Sequence, residues 1–337
     1  MVDGLPLAIE LAAARVRTLP PDLLQTGLQQ RLPILTGGAR DTPQRHRTLR
    51  DAIGWSYDLL EEDARRFFRW LAPFAGGLTP EAAATVASAL RHHPGSETAS
   101  AVSALDLLEM LVEHSLLQVA PDDDGGPRYR MLETIREFAL EQLVAEGEED
   151  AAFTVQAGWV RQLVARSQQL LQGSAAQLAW AIRLDAERGN IRAALHQWLA
   201  RGDSEAALAT AGALVDYWWM RSDFGEGRSW CERALSLAME VSAPVSRASS
   251  LYGACVMASN QGDHARALAA GEEMLREAAL SGNPVSMIRA HYALCRAARL
   301  GCLAGDALFL RDDGPRRLLG CADLGASGLL CRSGLLT

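Results

Sequence analysis

Apolar positions recur at helical spacing over most of the chain. In MVDGLPLAIELAAARVRTL, Leu7, Leu11, Ala14 and Leu19 fall on one side, with Glu10, Arg15 and Arg17 among them. Pro6 stands in the first turn, where a helix tolerates proline, and Gly4 just before it allows a tight entry. Residues 5–19 and 21–32 read as two helices joined at Pro20-Pro21 and closed by Pro33. The Gly-, Pro-, Thr- and Arg-rich stretch 35–47, LTGGARDTPQRHR, reads as a linker.

A second unit follows. TLRDAIGWSYDLL (48–60) places Leu49, Ile53, Tyr57 and Leu60 at helical spacing, and EEDARRFFRWLAPF (61–74) is amphipathic with acids in its first turn, stopped by Gly76-Gly77. LTPEAAATVASAL (78–90) opens with Thr79 as N-cap and Pro80 at the first helical position. ALDLLEMLVEHSLL predicts a helix over 104–117, and LLQVA, PDDDGGP and RYRML predict a β-hairpin around a Gly/Asp turn. LETIREFALEQLVAEGEED (132–150) predicts a further helix. Helices, hairpin and helix in that order predict a winged-helix domain with added helices over 48–150, in a mainly α chain.

From 151 onward the pattern is helical throughout. SEAALATAGALVDYWWM (204–220) puts Leu208, Ala211, Val215 and Trp218 on one face and carries no charge between Glu205 and Asp216, so it is expected to be buried. Ser222-Asp223 and Gly262-Asp263 then open similar segments 40 residues apart. Helix pairs at that pitch predict a tetratricopeptide-like array over 151–300, in which stacking buries the face that no pair can bury alone. Residues 301–337 hold seven Gly and no Glu and lose the helical period. Two readings stand there: an irregular tail, or a frameshift that replaced further repeats.

A 337-residue chain with 49% apolar residues has enough material for real cores in two or three domains. The net charge of -8 argues against nonspecific nucleic-acid or membrane binding as the main task. No apolar run reaches membrane-spanning length and no leader pattern opens the chain, so a cytoplasmic location without membrane contact is expected. All 33 basic residues are arginine, which rules out a lysine-bearing phosphate loop within these residues. The six cysteines include no CxxC pair, and are expected to be free, mostly buried thiols with no metal role. His92-His93 stand in a polar loop without nearby Cys, again without a metal.

Four blocks in order, DGLPLAIELAAARVR, RTLRDAIGWSYDLL, FRWLAPFAGGLTPEAA and YRMLETIREFALEQL, resemble the C-terminal part of bacterial STAND-type regulatory ATPases of the NB-ARC kind. That family includes transcriptional regulators of the AfsR/SARP and LuxR types. The resemblance implies that 1–34 is the helical remnant of a nucleotide-binding module whose P-loop domain is absent, so that the chain begins just upstream of a GxP motif in a longer ancestral protein. It further implies that Gly4, Leu5 and Pro6 are that motif, the proline ring packing on adenine; read without the family, Pro6 starts a helix. Met131, Leu132 and Glu133 occupy the place of the family's Met-His-Asp motif, with leucine where a phosphate-contacting histidine is expected. Full-length relatives bind ADP or ATP; no cofactor and no catalysis are expected of this chain.

The winged helix raises the question of DNA. From 79 to 120 the sequence has Glu81, Glu97, Asp106, Glu109 and Glu113 against Arg91 alone, and the turn carries Asp122, Asp123 and Asp124. Such a surface repels phosphate, so this domain is expected to pack and not to read DNA. Arg45 and Arg47, with Arg40, His46 and Arg50, form the one basic cluster, a phosphate or acidic-partner contact if it is not a solvated linker. Trp180, Trp198, Trp218, Trp219 and Trp230 read as core, or as the wall of a ligand groove in the array. The expected function is signalling through protein or small-effector binding on the helical repeats; the alternative is a stand-alone winged-helix DNA-binding regulator.

Overall fold

The computed structural model describes residues 49–93, 103–122, 125–171, 175–237, 244–282, 284–303, 309–310 and 317–318. The helices expected at 5–19 and 21–32, the linker at 35–47 and most of the tail lie outside the described residues, as do Gly4, Leu5, Pro6, Arg45 and Arg47. The described residues form fourteen helices and two short antiparallel hairpins, arranged as two compact units. One unit reaches Val160 and takes in Ile182–Ala194; the other comprises Arg161–Ala181 and the chain from Leu195.

The first unit opens with α1 (Leu49–Asp58), α2 (Glu62–Leu71), α3 (Pro80–His92) and α4 (Ala104–Glu113). The amphipathic pattern of α2 drives Phe67, Phe68, Trp70 and Leu71 fully into the core, where Tyr57 packs against Phe68 and Phe138. Thr79 caps α3 by accepting from the Ala82 N–H at 3.3 Å, with Pro80 behind it, and Ser103 and Asp106 form a capping box on α4. Strands β1 (Gln118–Pro121) and β2 (Pro127–Arg130) form the wing, turning at Gly125 with φ of 85°. Leu78 bonds to Tyr129 on the free side of β2 through two 2.9 Å hydrogen bonds. Gly77, with φ of 77°, permits this approach, since a Cβ there would meet the Tyr129 carbonyl oxygen at 2.7 Å.

Two expected helices are shorter than their apolar runs. α4 stops at Glu113, and Ser115, with φ of 58°, swings the chain so that Leu116 and Leu117 both enter the core, their N–H groups bonded to the Leu111 carbonyl. Adjacent leucines in a helix would lie about 100° apart and could not share one buried stripe. The helix expected over 132–150 is divided at Gly147 into α5 (Glu133–Ala145) and α6 (Glu149–Leu170). That break aims Glu148 at α2, where Arg66 (2.5 Å), Arg69 (3.4 Å) and the Trp70 indole (3.0 Å) all donate to its carboxylate.

Helices α7 (Gln177–Ala186) and α8 (Arg188–Arg201), like α6, pass from one unit into the other. The second unit continues with α9 (Ser204–Ala213), α10 (Val215–Arg221), α11 (Phe224–Leu237), α12 (Pro244–Asn260), α13 (His264–Ser281) and α14 (Pro284–Leu303). Each helix packs on its sequence neighbours, and α12 also packs on α9 and α14, the stacking of a tetratricopeptide-like array. Close approach is built in: a Cβ on Gly253 would meet Val215 at 2.6 Å and Cys231 at 2.7 Å. Helix ends share one design, a left-handed residue at Gly202, Ser222 or Gly262 followed by aspartate. The N–H groups of Asp203, Asp223 and Asp263 bond to the carbonyls of Trp198, Trp218 and Ala258, and the Asp203 and Asp263 side chains cap the helices that follow.

Candidate functional site

In a winged helix the helix before the wing is the one that enters a DNA groove. Here that helix is α4, and its outer face presents Leu105, Asp106, Glu109 and Glu113 to solvent. It contains no basic residue, and the exposed base in the described part of the wing is Arg130. The other wing arginine is turned inward. Arg128 is wholly buried and uses all five of its N–H donors: Nε to the Gly76 carbonyl (2.9 Å), Nη1 to Asp122 (3.1 Å) and Glu187 (2.9 Å), Nη2 to the carbonyls of Gly77 (3.3 Å) and Ala186 (2.8 Å). Asn190 completes the network, accepting from the Gly76 N–H at 3.0 Å and donating to the Gly77 carbonyl at 2.8 Å and to Glu187 at 2.5 Å. The wing is thereby clamped to residues far along the chain, with its arginine withdrawn from solvent.

The residues singled out in the sequence fall in different places. Leu132 is the extended residue before α5, and Glu133 in the first turn of that helix pairs with Arg136 at 2.5 Å; Met131 is half-buried beside them. Of the basic cluster, Arg50 is described; it pairs with Glu141 and lies over the Phe138 ring. His93 packs edge-on against Trp70 and is bonded to Arg66 at 2.8 Å. Among the described residues no group of three His, Cys, Asp or Glu side chains could hold a metal ion. Trp198, Trp218 and Trp230 are core, but Trp219 is 49% exposed.

Trp219 belongs to a concave feature of the second unit. A cavity of about 240 Å³ lies among the end of α6, the start of α7, and α9, α10, α12 and α14; Gln168, Gln177, Asp216, Trp219, Ser249, Tyr252 and Arg289 contribute polar and aromatic groups to its lining. The Tyr252 hydroxyl is pushed above its ordinary range by burial and by the charge of Asp216, while Arg289 and Arg296 pull the other way. With aromatic surface, one acid and one arginine, but no nucleophile paired to a base, the cavity is equipped to bind. Tyr252 and Arg289 were missed from sequence because the signal lies in a repeat that the helix-opening Asp residues obscure: PVS and YxxC recur from 244–255 to 284–295.

Comparison with known proteins gives residues 60–144 a match to the family model described as a winged helix-turn-helix domain. A protein of Mycobacterium tuberculosis (strain ATCC 25618 / H37Rv) named "Putative HTH-type transcriptional regulator" is 38% identical over 235 residues, covering 68% of this chain and 25% of its own length. A Mycobacterium bovis protein of the same description gives the same figures. A protein of Mycobacterium tuberculosis named "Uncharacterized protein" is 36% identical over 150 residues, 44% of this chain and 36% of its own. This chain thus spans about a quarter of the length of the first relatives it matches. Among solved structures, a Signal Transduction ATPase with Numerous Domains protein with a tetratricopeptide repeat sensor, from Pyrococcus horikoshii, is 12% identical over 90% of this chain and 58% of its own, with a TM-score of 0.26, too low to bear on this chain. Helix order, wing register and family match agree that residues 60–144 form a winged helix-turn-helix domain.

Proposed function

We propose that this chain is the partner-sensing part of a cytoplasmic regulatory protein related to STAND-type transcriptional regulators, and that it acts through protein or effector binding and not through catalysis. On this reading the winged helix is a packing module and the helical array is the sensor. The observation that carries it is the outer face of α4, where Asp106, Glu109 and Glu113 are exposed and no base accompanies them. Duplex DNA is held mainly through its phosphates, and such a face repels them. The relatives described as transcriptional regulators support a regulatory role.

The nucleotide elements enter this reading by resemblance. Gly4, Leu5 and Pro6 would contribute an adenine contact to a neighbouring ATPase module, and Leu132 would leave the phosphate contact of the Met131-Leu132-Glu133 position unmade. The chain by itself is then expected to hydrolyse no ATP, because one proline contact cannot replace a phosphate cradle. The test is an electrophoretic shift with labelled duplex DNA over a range of salt, run beside an ATPase assay. The expected result is no shift and no phosphate release; a shift that weakens steeply with salt would support the stand-alone DNA-binding reading instead.

A further inference from the structure

The repeat in the second unit sets out a surface as well as a core. Val245, Ser249 and Tyr252 follow one another at i, i+4 and i+7 on α12, and Val285, Arg289 and Tyr292 do the same on α14. Residues at those intervals share a helix face, so both helices present a valine, a polar residue and a tyrosine in the same order. Ser249, Tyr252 and Arg289 line the cavity together with Trp219 and Asp216 of α10. Val245 (52%), Val285 (57%), Tyr292 (47%) and Trp219 are each about half exposed, large apolar side chains open to a partner. Arg289 has no carboxylate partner among the described residues. Arg296, two turns further along the same face, is bonded to the neutral Asn260 at 3.3 Å. Among the described residues, Arg289 and Arg296 thus leave two guanidinium groups without an ion pair on one face of α14, a feature that favours a negatively charged ligand group.

We propose that this groove binds an acidic peptide segment of a partner protein, one carboxylate on Arg289 and a neighbouring apolar side chain against Trp219 and Tyr292. The proposal rests on the reading of the array as the sensor and names its partner's chemistry. A peptide fits better than a free small molecule: the cavity is smaller than the roughly 300–1,000 Å³ usual for such ligands. The apolar surface also continues past it, Val285 to Tyr292 alone covering about 10 Å of helix.

The test uses the whole chain and two fluorescein-labelled peptides, EDLFEELLDE and its uncharged counterpart QNLFQQLLNQ, read by anisotropy. The acidic peptide is expected to bind at least about tenfold more tightly than the amide peptide. Arg289→Glu and Trp219→Ala are each expected to lose about tenfold or more, while Arg161→Glu, an equal change of charge on the exposed surface of α6, keeps the affinity. Arg289→Gln replaces Arg289→Glu if circular dichroism shows that the latter does not fold. Equal binding of both peptides, an unchanged Arg289 variant, or no binding of either overturns the proposal. Phenylacetate binding as tightly as the peptide would overturn it too, giving the groove to a small aryl acid. The two readings fail separately: equal peptide binding that is lost in Trp219→Ala leaves the array a sensor without acidic preference, whereas a DNA shift removes the sensor reading itself.

Discussion

The guanidinium of Arg128 is buried among acceptors that come from three separate stretches of sequence, Gly76-Gly77, Asp122 and Ala186-Glu187. Burying it without them would be prohibitive, and removing it would strand the Glu187 carboxylate, itself 1% exposed. Arg128→Ala is therefore expected to destabilise the chain by about 3–5 kcal/mol, measured by urea unfolding, and Arg128→Lys to recover little, because a point ammonium cannot reproduce a planar fork. A loss below about 1 kcal/mol, the level of an exposed pair, would show that the clamp is not stabilising. None of this was legible in RYRML, where alternation predicts one face in and one face out; Arg128 and Tyr129 are both buried because β2 is covered on both faces. Two of the six cysteines, Cys231 and Cys255, are buried as the sequence suggests, while Cys295 is half-buried. Burial pushes the Cys231 thiol up to about 12 and the Cys255 thiol up to about 11, so neither supplies thiolate at neutral pH. Peptide-resolved alkylation with iodoacetamide is expected to leave both unlabelled in the folded chain and to label both in urea, with labelling of the native chain as the contrary result.

At the level of elements, periodicity and capping chemistry located α1 to α3 and the wing, because each is announced locally by an apolar stripe, a cap or a Gly/Asp turn. It overran α4 and α5, whose ends are set by where Leu116, Leu117 and Glu148 find partners. The Asp residues that announced the repeat have a definite task. Asp263 accepts from the Arg266 N–H at 3.1 Å and pairs with Arg228 at 2.7 Å. The Arg228 side chain first, and the Arg266 backbone second, hold its carboxyl below the usual range. A depressed carboxyl contributes stability that is complete above the unfolded value near pH 4 and is lost as pH falls through the lower folded value. Asp263→Ala is expected to cost about 1 kcal/mol at neutral pH, as loss of an N-cap, and the gap in Tm between the two proteins should close below about pH 4. A gap that persisted in acid would place the effect outside the carboxylate.

At the scale of the whole molecule, charge decides between uses of the same fold. A winged helix-turn-helix domain is compatible with DNA binding, but α4 presents acids and Arg128 is withdrawn into the clamp. That surface was readable from the sequence, since its argument needs only residue types and a helix. The groove was not, because Asp216, Trp219, Tyr252 and Arg289 converge through stacking of helices that no local signal brings together. The measurement that tests this account most directly is anisotropy of a labelled random-sequence duplex titrated with the native chain and with Glu109→Arg/Glu113→Arg across a salt series. The account predicts that the native chain leaves the duplex unbound and that the reversed chain binds it with an affinity that falls as salt rises. Tight, salt-dependent binding by the native chain, little changed by the reversal, would contradict it.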